Sequence, residues 1–454
     1  MNNLDWMDNR LSVIVLFWTT CIFQFISGQQ ARAQRTWTLD SCIQYAYVHN
    51  VSVARSRLQE QSSENTLHQS RNNRFPTLGF SSSLASQFGR SIDPTTNSYT
   101  NTQIMYSSMG FQSGVTLFNW FSIKNTVRLN EKNVEVARLE TERLKNDLKL
   151  NIAAACLQVL LAEKQLEISR RQIELTARQL ELTGKQVDFG KKPESDLLQM
   201  VTQLASDSTV YYTQISNVQK SKSQMKTLLG IDQHETFEVD TMEGGEKDFP
   251  LLREPEAVYE DALLVQPRQR EDRAKLEALN LQKKIAKASL YPTISGSANI
   301  SSSYSNKFTD AYGQVSPYFR QLFNINLYQY VGVSVSVPIY SNRKAYYNYK
   351  DIGIQVKIQQ LQADGNNQQL KQDIYDAYNT ARSNLSVYLN SKRTLVTTEK
   401  GYVFAQKRFE IGKSTLSDYL MALNTLYQAR INQSNAYYNY IFSVKILSYY
   451  GNNK

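Results

Sequence analysis

The chain has 454 residues, 41% hydrophobic and 20% charged, which excludes a disordered tail and leaves room for one large elongated domain or two or three ordinary ones. A net charge of +10 would suit a nucleic-acid partner, but the cations alternate with Glu and Gln along helical stretches such as Arg138 to Lys149. They are read as solvated helix faces, with no nucleic acid implied.

Taken from the N-terminus, Leu11 to Ile26 is an apolar run, followed by Gly28 and the small-x-small pattern Ala31-Arg32-Ala33. This predicts a secretory signal peptide over residues 1–33, with Met7 as an alternative start because Asp5 and Asp8 outweigh Arg10. Cys21 lacks the small residues that usually precede a lipidated cysteine, which disfavours a lipoprotein. No later stretch approaches the roughly 20 apolar residues of a spanning helix, so a mature chain that crosses a membrane does so as a β-barrel. Two cysteines follow the signal, Cys42 and Cys156. An exported protein could pair them, and burial on helices as free thiols is the plainer alternative.

The rest of the chain is written twice. Asn50 to Pro76 and Gln266 to Pro292 are the same 26 positions, and Phe75-Pro76-Thr77-Leu78 returns as Tyr291-Pro292-Thr293-Ile294. Phe189-Gly190-Lys191 with Ser195 and Asp196 returns as Ile411-Gly412-Lys413 with Ser417 and Asp418. The offset grows from 216 to 222, so copy two carries a loop six residues longer.

The first repeat, 34–230, predicts strands at about 76–90 and 102–118, a long helix over 121–189 and a helix over 194–229. An intervening segment and the second repeat fill 231–454, with strands at about 292–304 and 324–340 and helices over 343–411 and 415–450. Scarce glycine and proline favour such long helices, and each 69-residue stretch would run roughly 100 Å. Leu144, Leu148, Ile152, Leu157, Leu160 and Leu161 recur at helical spacing and need packed neighbours. Gly190 and Gly412 can take the left-handed conformation that ends a helix. Asp196 and Asp418 then fall in the first turn of the next one, as helix caps or as a gating or selectivity element.

The strands alternate like those of a barrel. Ile325, Leu327, Val331, Val333, Val335, Val337 and Ile339 share one face, and Asn326, Tyr328, Gly332, Ser334 and Ser336 the other. An ordinary soluble sheet with one wet face is the alternative. Four strands cannot close a barrel, so the chain must oligomerise: two copies give eight strands, and three give twelve with room for a pore. His49, His68 and His234 match no metal-ligand spacing, and no catalytic set or phosphate loop occurs. Neither an enzyme nor a cofactor is expected.

Duplicated helix–β-hairpin–long helix–helix repeats behind a signal peptide resemble the TolC-like outer-membrane efflux channel family. The likeness is carried by Pro76 and Pro292 opening strands, by the exits Val115-Thr116-Leu117-Phe118-Asn119 and Val337-Pro338-Ile339-Tyr340-Ser341, and by the Gly190/Asp196 and Gly412/Asp418 turns. Trp120 and Asn342 stand where family members often carry glycine after the exit. The resemblance implies a mainly α fold with a transmembrane β-barrel contribution. It implies a homotrimer with a twelve-stranded barrel in the outer membrane, facing outer-membrane lipid, and a twelve-helix α-barrel below it. A small mixed equatorial domain would come from Arg35 to His49, Ile231 to Leu264 and the C-terminal end. It further implies a periplasmic tip at Gly190, Lys191, Ser195, Gly412, Lys413 and Ser414 that docks on an adaptor protein attached to an inner-membrane pump. A periplasm-spanning structural or adhesive coiled-coil protein without a conduit is the alternative function, and a soluble exported enzyme a third.

Overall fold

The computed structural model describes residues 36–92, 97–101, 103–240, 252–309 and 312–451, and the expected signal peptide lies outside the described residues. Copy one comprises α1 (Leu39–His49), α2 (Val51–Asn72), β2 (Thr77–Gln87), β5 (Ile104–Phe118), α3 (Ser122–Asp188) and α4 (Glu194–Leu229). β1 (Thr36–Trp37) precedes it, and the short β3 (Arg90–Ile92) and β4 (Tyr99–Asn101) pair with each other between β2 and β5. β6 (Glu238–Val239) follows, then copy two: α5 (Pro255–Val265), α6 (Pro267–Ala288), β7 (Thr293–Ser305), β8 (Tyr328–Ser336), α7 (Lys344–Glu410) and α8 (Leu416–Tyr450). The copies match in length: α1 and α5 have 11 residues each, α2 and α6 have 22, and α3 and α7 have 67. Among the described residues no helix is long and apolar enough to cross a membrane.

The residues fall into two compact units. The sheet unit holds Ser52–Lys145, Glu254–Tyr375 and Tyr450–Lys454, so far as they are described. Its four strands form one antiparallel sheet in the order β2-β5-β7-β8, with β2 and β8 as the edges. In the same unit α6 is tied to α3 by Arg143 Nε to Glu271 (3.1 Å) and to α7 by Asn366 Nδ2 to Asp272 (2.7 Å). Glu271 and Asp272 are both buried. A buried carboxylate needs such partners, because desolvation without them costs several kcal/mol.

The fourth strand is shorter than the apolar alternation suggests. Tyr318–Arg320 forms a helical turn that runs into a π-helical turn over Gln321–Ile325, so Ile325 belongs to no strand. The side chain of Gln321 decides this. It accepts from Ser305 N (3.0 Å) and donates to Ser305 O (3.0 Å) and Ser316 O (2.7 Å), which fixes the turn against the end of β7. At the other end β8 stops at Ser336, two residues before Pro338.

The helical unit holds the described parts of Met1–Val51, Asn146–Arg253 and Asp376–Tyr449. Here α3 buries Ile152, Leu157 and Leu160, as their helical spacing requires. β1 pairs in parallel with β6, and Trp37 packs edge-on against Tyr45 at 5.0 Å. Thr38 caps α1 by accepting from Ser41 N at 3.2 Å.

Each strand-to-helix junction is a sharp left-handed turn made without glycine. Trp120 and Phe121 have φ of 55° and 61°, and Asn342 and Arg343 repeat the geometry at 51° and 56°. Such φ values crowd Cβ against the backbone and cost about 1–2 kcal/mol per residue. Arg343→Gly is therefore expected to be neutral or to stabilise by up to about 1 kcal/mol, and Arg343→Val to destabilise by about 1–2 kcal/mol. The denaturant midpoint of the purified protein reads the difference.

Candidate functional site

Strand register sorts the sheet into two chemically distinct faces. Phe80 opposes Phe111 and Phe111 opposes Ile300, while Val331, Val333 and Val335 oppose Ala298, Gly296 and Ile294. Leu78 and Leu84 lie on the same side by the two-residue period. The other face carries Ser81, Ser83, Ser108, Gln112, Ser295, Ser297, Asn299 and Ser334. Ser83 and Ser108 bond across the strands at 2.8 Å. The apolar face is the exposed anomaly: Leu78 is 76% exposed, Phe80 60%, Val331 86% and Val333 68%. An apolar patch of this extent in water marks an interaction surface, and alternation over four strands fits lipid on one side and an aqueous lumen on the other. Pro76 and Pro292 immediately precede β2 and β7, where a residue without an N–H costs no ladder bond.

The helical unit carries the two glycine turns. Gly190 and Gly412 have φ of 68° and 72°. Lys191 N donates to Gln186 O (2.8 Å) and Lys413 N to Arg408 O (2.7 Å), the same left-handed helix stop twice over. Phe189 and Ile411, just before the glycines, are 77% and 66% exposed. Beyond the turns the copies part. Thr415 Oγ1 accepts from Asp418 N (3.2 Å), and the Asp418 carboxylate accepts from Thr415 N (3.1 Å) and Thr415 Oγ1 (2.8 Å), a reciprocal cap. These bonds hold the Asp418 carboxyl below the usual carboxylate range. Copy one has Pro193 at the cap position, with no side chain to accept, and Asp196 sits 4.0 Å from Lys192 Nζ. Ser195 lies in the first turn of α4, and Ser414 Oγ is buried without a partner.

Lys192, which the sequence did not single out, links the copies. Its Nζ lies 2.9 Å from the centre of the Phe409 ring on α7, and burial lowers its pKa. A cation over a ring face is attractive by about 0.5–2 kcal/mol. A lysine after a helix-ending glycine gives no sign of this in the sequence, because its partner lies over two hundred positions away.

Cys42 and Cys156 are free, buried thiols, as the plainer alternative has it. Burial pushes them up to about 12 and about 11. On the first part of α7, Tyr347, Ile354, Ile358 and Leu361 are exposed at near-heptad spacing, a stripe that calls for a neighbouring helix.

The family model described as outer membrane efflux protein matches residues 42–230 and 258–448, one match per copy. Among solved structures, CusC is 17% identical with a TM-score of 0.76, covering 91% of this chain and 92% of its own. The CmeC outer membrane channel of Campylobacter jejuni is 15% identical with a TM-score of 0.75, covering 91% and 85%. The outer membrane protein VceC of Vibrio cholerae is 16% identical with a TM-score of 0.73, covering 91% and 96%. No curated protein sequence matches.

Val333→Arg or Val335→Arg is expected to lower the stability of the membrane-inserted protein by about 2–4 kcal/mol, and Ser334→Arg to be tolerated. Denaturant titration in lipid vesicles checks this, and equal tolerance at all three positions would remove the lipid-facing assignment.

Proposed function

Because the chain belongs to the outer membrane efflux protein family, we propose that it is the outer-membrane channel subunit of a tripartite efflux or secretion system. It passively conducts substrates handed on by an inner-membrane pump and a periplasmic adaptor. The observation that carries the reading is the four-stranded sheet with one exposed apolar face and, among the described residues, two unpaired edges. An open edge in a bilayer leaves backbone groups unpaired, so the unit that inserts is an oligomer. Three copies supply twelve strands, enough for an aqueous lumen lined by the serine-rich face, whereas eight leave an interior that side chains fill. The exposed stripe on α7 supports the same assembly, since a second copy of the chain would cover it. A coiled-coil stalk without a conduit has no use for an apolar sheet face, which favours the channel.

The glycine turns form the periplasmic tip in this reading. Exposed Phe189 and Ile411 give each turn an apolar knob, and the left-handed stop presents Lys191 and Lys413 beside it. A helical hairpin of the adaptor is the partner such knobs suit. Gly190→Val with Gly412→Val is expected to abolish export while oligomers still assemble, because valine resists positive φ only at the turn. Export assays together with gel analysis of unheated oligomer separate the two effects.

Asp196 and Asp418 are the proposed gate. Three chains bring six carboxylates toward one axis, and like charges in a narrow wet passage favour cations. Lys192 offsets Asp196 in part, and Asp418 stands charged at neutral pH within its cap. Reconstituted oligomers are expected to prefer cations and to be blocked by multivalent cations. Asp196→Asn with Asp418→Asn weakens both properties, and Lys192→Gln strengthens them. Single-channel recording decides this, and identical selectivity in all three would reduce the two carboxylates to helix caps.

A further inference from the structure

The six extra residues of copy two lie between β7 and β8, and that connection contains the helical turns Tyr318–Arg320 and Gln321–Ile325. These turns are fastened to the sheet by more than the Gln321 amide. Ser302 Oγ donates to Leu322 O at 2.6 Å, and Asn326 Nδ2 donates to Ser303 O at 2.8 Å. Tyr318 OH meets Ser107 Oγ at 3.1 Å, and its ring lies 4.7 Å from that of Tyr304. Gln321 and Leu322 are wholly buried.

The side on which the segment lies is informative. Register puts Ser302 opposite Met109 and Ser107 opposite Tyr304, on the same face as Phe111, Ile300 and Val331. The segment therefore covers the polar end of the apolar face and meets the apolar band where it stops. Its inner side satisfies the hydroxyls of Ser302 and Ser107, which would be costly against hydrocarbon. Its outer side carries the rings of Phe319 and Phe323, one helical turn apart and parallel at 6.4 Å, 71% and 61% exposed. Arg320 is exposed between them in the sequence.

We infer that Tyr318–Ile325 is a membrane-interface anchor, with Phe319 and Phe323 seated among the headgroups and upper acyl chains of the outer leaflet. The inference rests on the lipid-facing reading of the sheet and extends it. The segment lies on the face of the sheet that carries the apolar band, and a pair of bare phenyl rings has no favourable place in water. Aromatic side chains collect at this depth of a bilayer, and a guanidinium there can reach lipid phosphates. The anchor sets how deep the barrel sits, and it belongs to copy two alone, so three copies would supply three such contacts around the rim.

The test is spin-label depth measurement on the full chain reconstituted in phospholipid vesicles. Single cysteines replace Phe319, Phe323, Val333 and Tyr312, the last a 92% exposed residue of the same connection. Cys21 is replaced by Ser in every variant, and Cys42 and Cys156, buried with raised pKa values, stay inert to a maleimide at neutral pH. The ratio of collision with oxygen to collision with a water-soluble nickel chelate is expected to be highest at Val333→Cys. It should be intermediate at Phe319→Cys and Phe323→Cys, several-fold above Tyr312→Cys. A water-like ratio at 319 and 323 with a deep ratio at 333 would overturn the anchor and leave the barrel standing. Shielding of both labels from oxygen and nickel alike would also overturn it, by showing protein cover in place of lipid. A water-like ratio at 333 as well would sink the barrel reading and the anchor together.

Discussion

A hydrogen-bonded sheet has two edges, and in hydrocarbon there is no water to satisfy them. Much else in this chain answers that constraint. β2 and β8 are the edges of the four-stranded sheet, and among the described residues neither has a strand on its outer side. A chain that puts such a sheet into a bilayer must bring another copy's edge to meet it, at the same height and in the same register. That demand accounts for the near-identical lengths of corresponding helices in the two copies. A strand pair delivered one turn too high would leave rungs of the ladder open.

Equal geometry has not kept the copies chemically equal. In the helical unit α3 buries Ser169, Gln172, Thr176, Gln179 and Thr183, a polar seam at three- and four-residue spacing. Thr176 Oγ1 donates to the buried Asp207 carboxylate at 2.6 Å, joining α3 to α4, and Gln203 Nε2, also on α4, donates to it at 2.8 Å. The corresponding helices of copy two are held by rings instead. Tyr388 stacks on Tyr440 at 6.4 Å, Phe409 on Tyr419 at 5.3 Å, and the hydroxyls of Tyr402 and Tyr419 meet at 3.2 Å. A hydrogen-bonded seam exchanges its partners for water at a net cost of about 0.5–1.5 kcal/mol per bond. Burial of aromatic rings contributes instead through the apolar area removed from water.

The fold is shared with channels at 15–17% identity, so few individual side chains are needed to specify it. What this chain carries is pattern: heptad-like apolar spacing, two-residue alternation and left-handed stops at Gly190, Gly230 and Gly412. The strand-to-helix junctions show how loosely even the turn chemistry is held. Where glycine would be strain-free, Trp120-Phe121 and Asn342-Arg343 adopt positive φ, held by the strand on one side and the helix on the other.

The duplication, the long helices and the four alternating strands were legible in the sequence, because each is a local periodicity that needs no knowledge of what it packs against. The same locality explains what was not legible. The alternation of Ile325 and Leu327 continued that of β8, but Gln321 forms three bonds to Ser305 and Ser316 that turn the chain into a helix there. Nothing in the spacing of carboxylates distinguished Asp418, tied up in a reciprocal cap with Thr415, from Asp196, set beside a lysine that lies on Phe409. Periodicity along the chain determined the kinds of element and their order. Contacts between residues far apart in sequence decided where strands end and which charges stand free, since those energies exist only once the partners have been brought together.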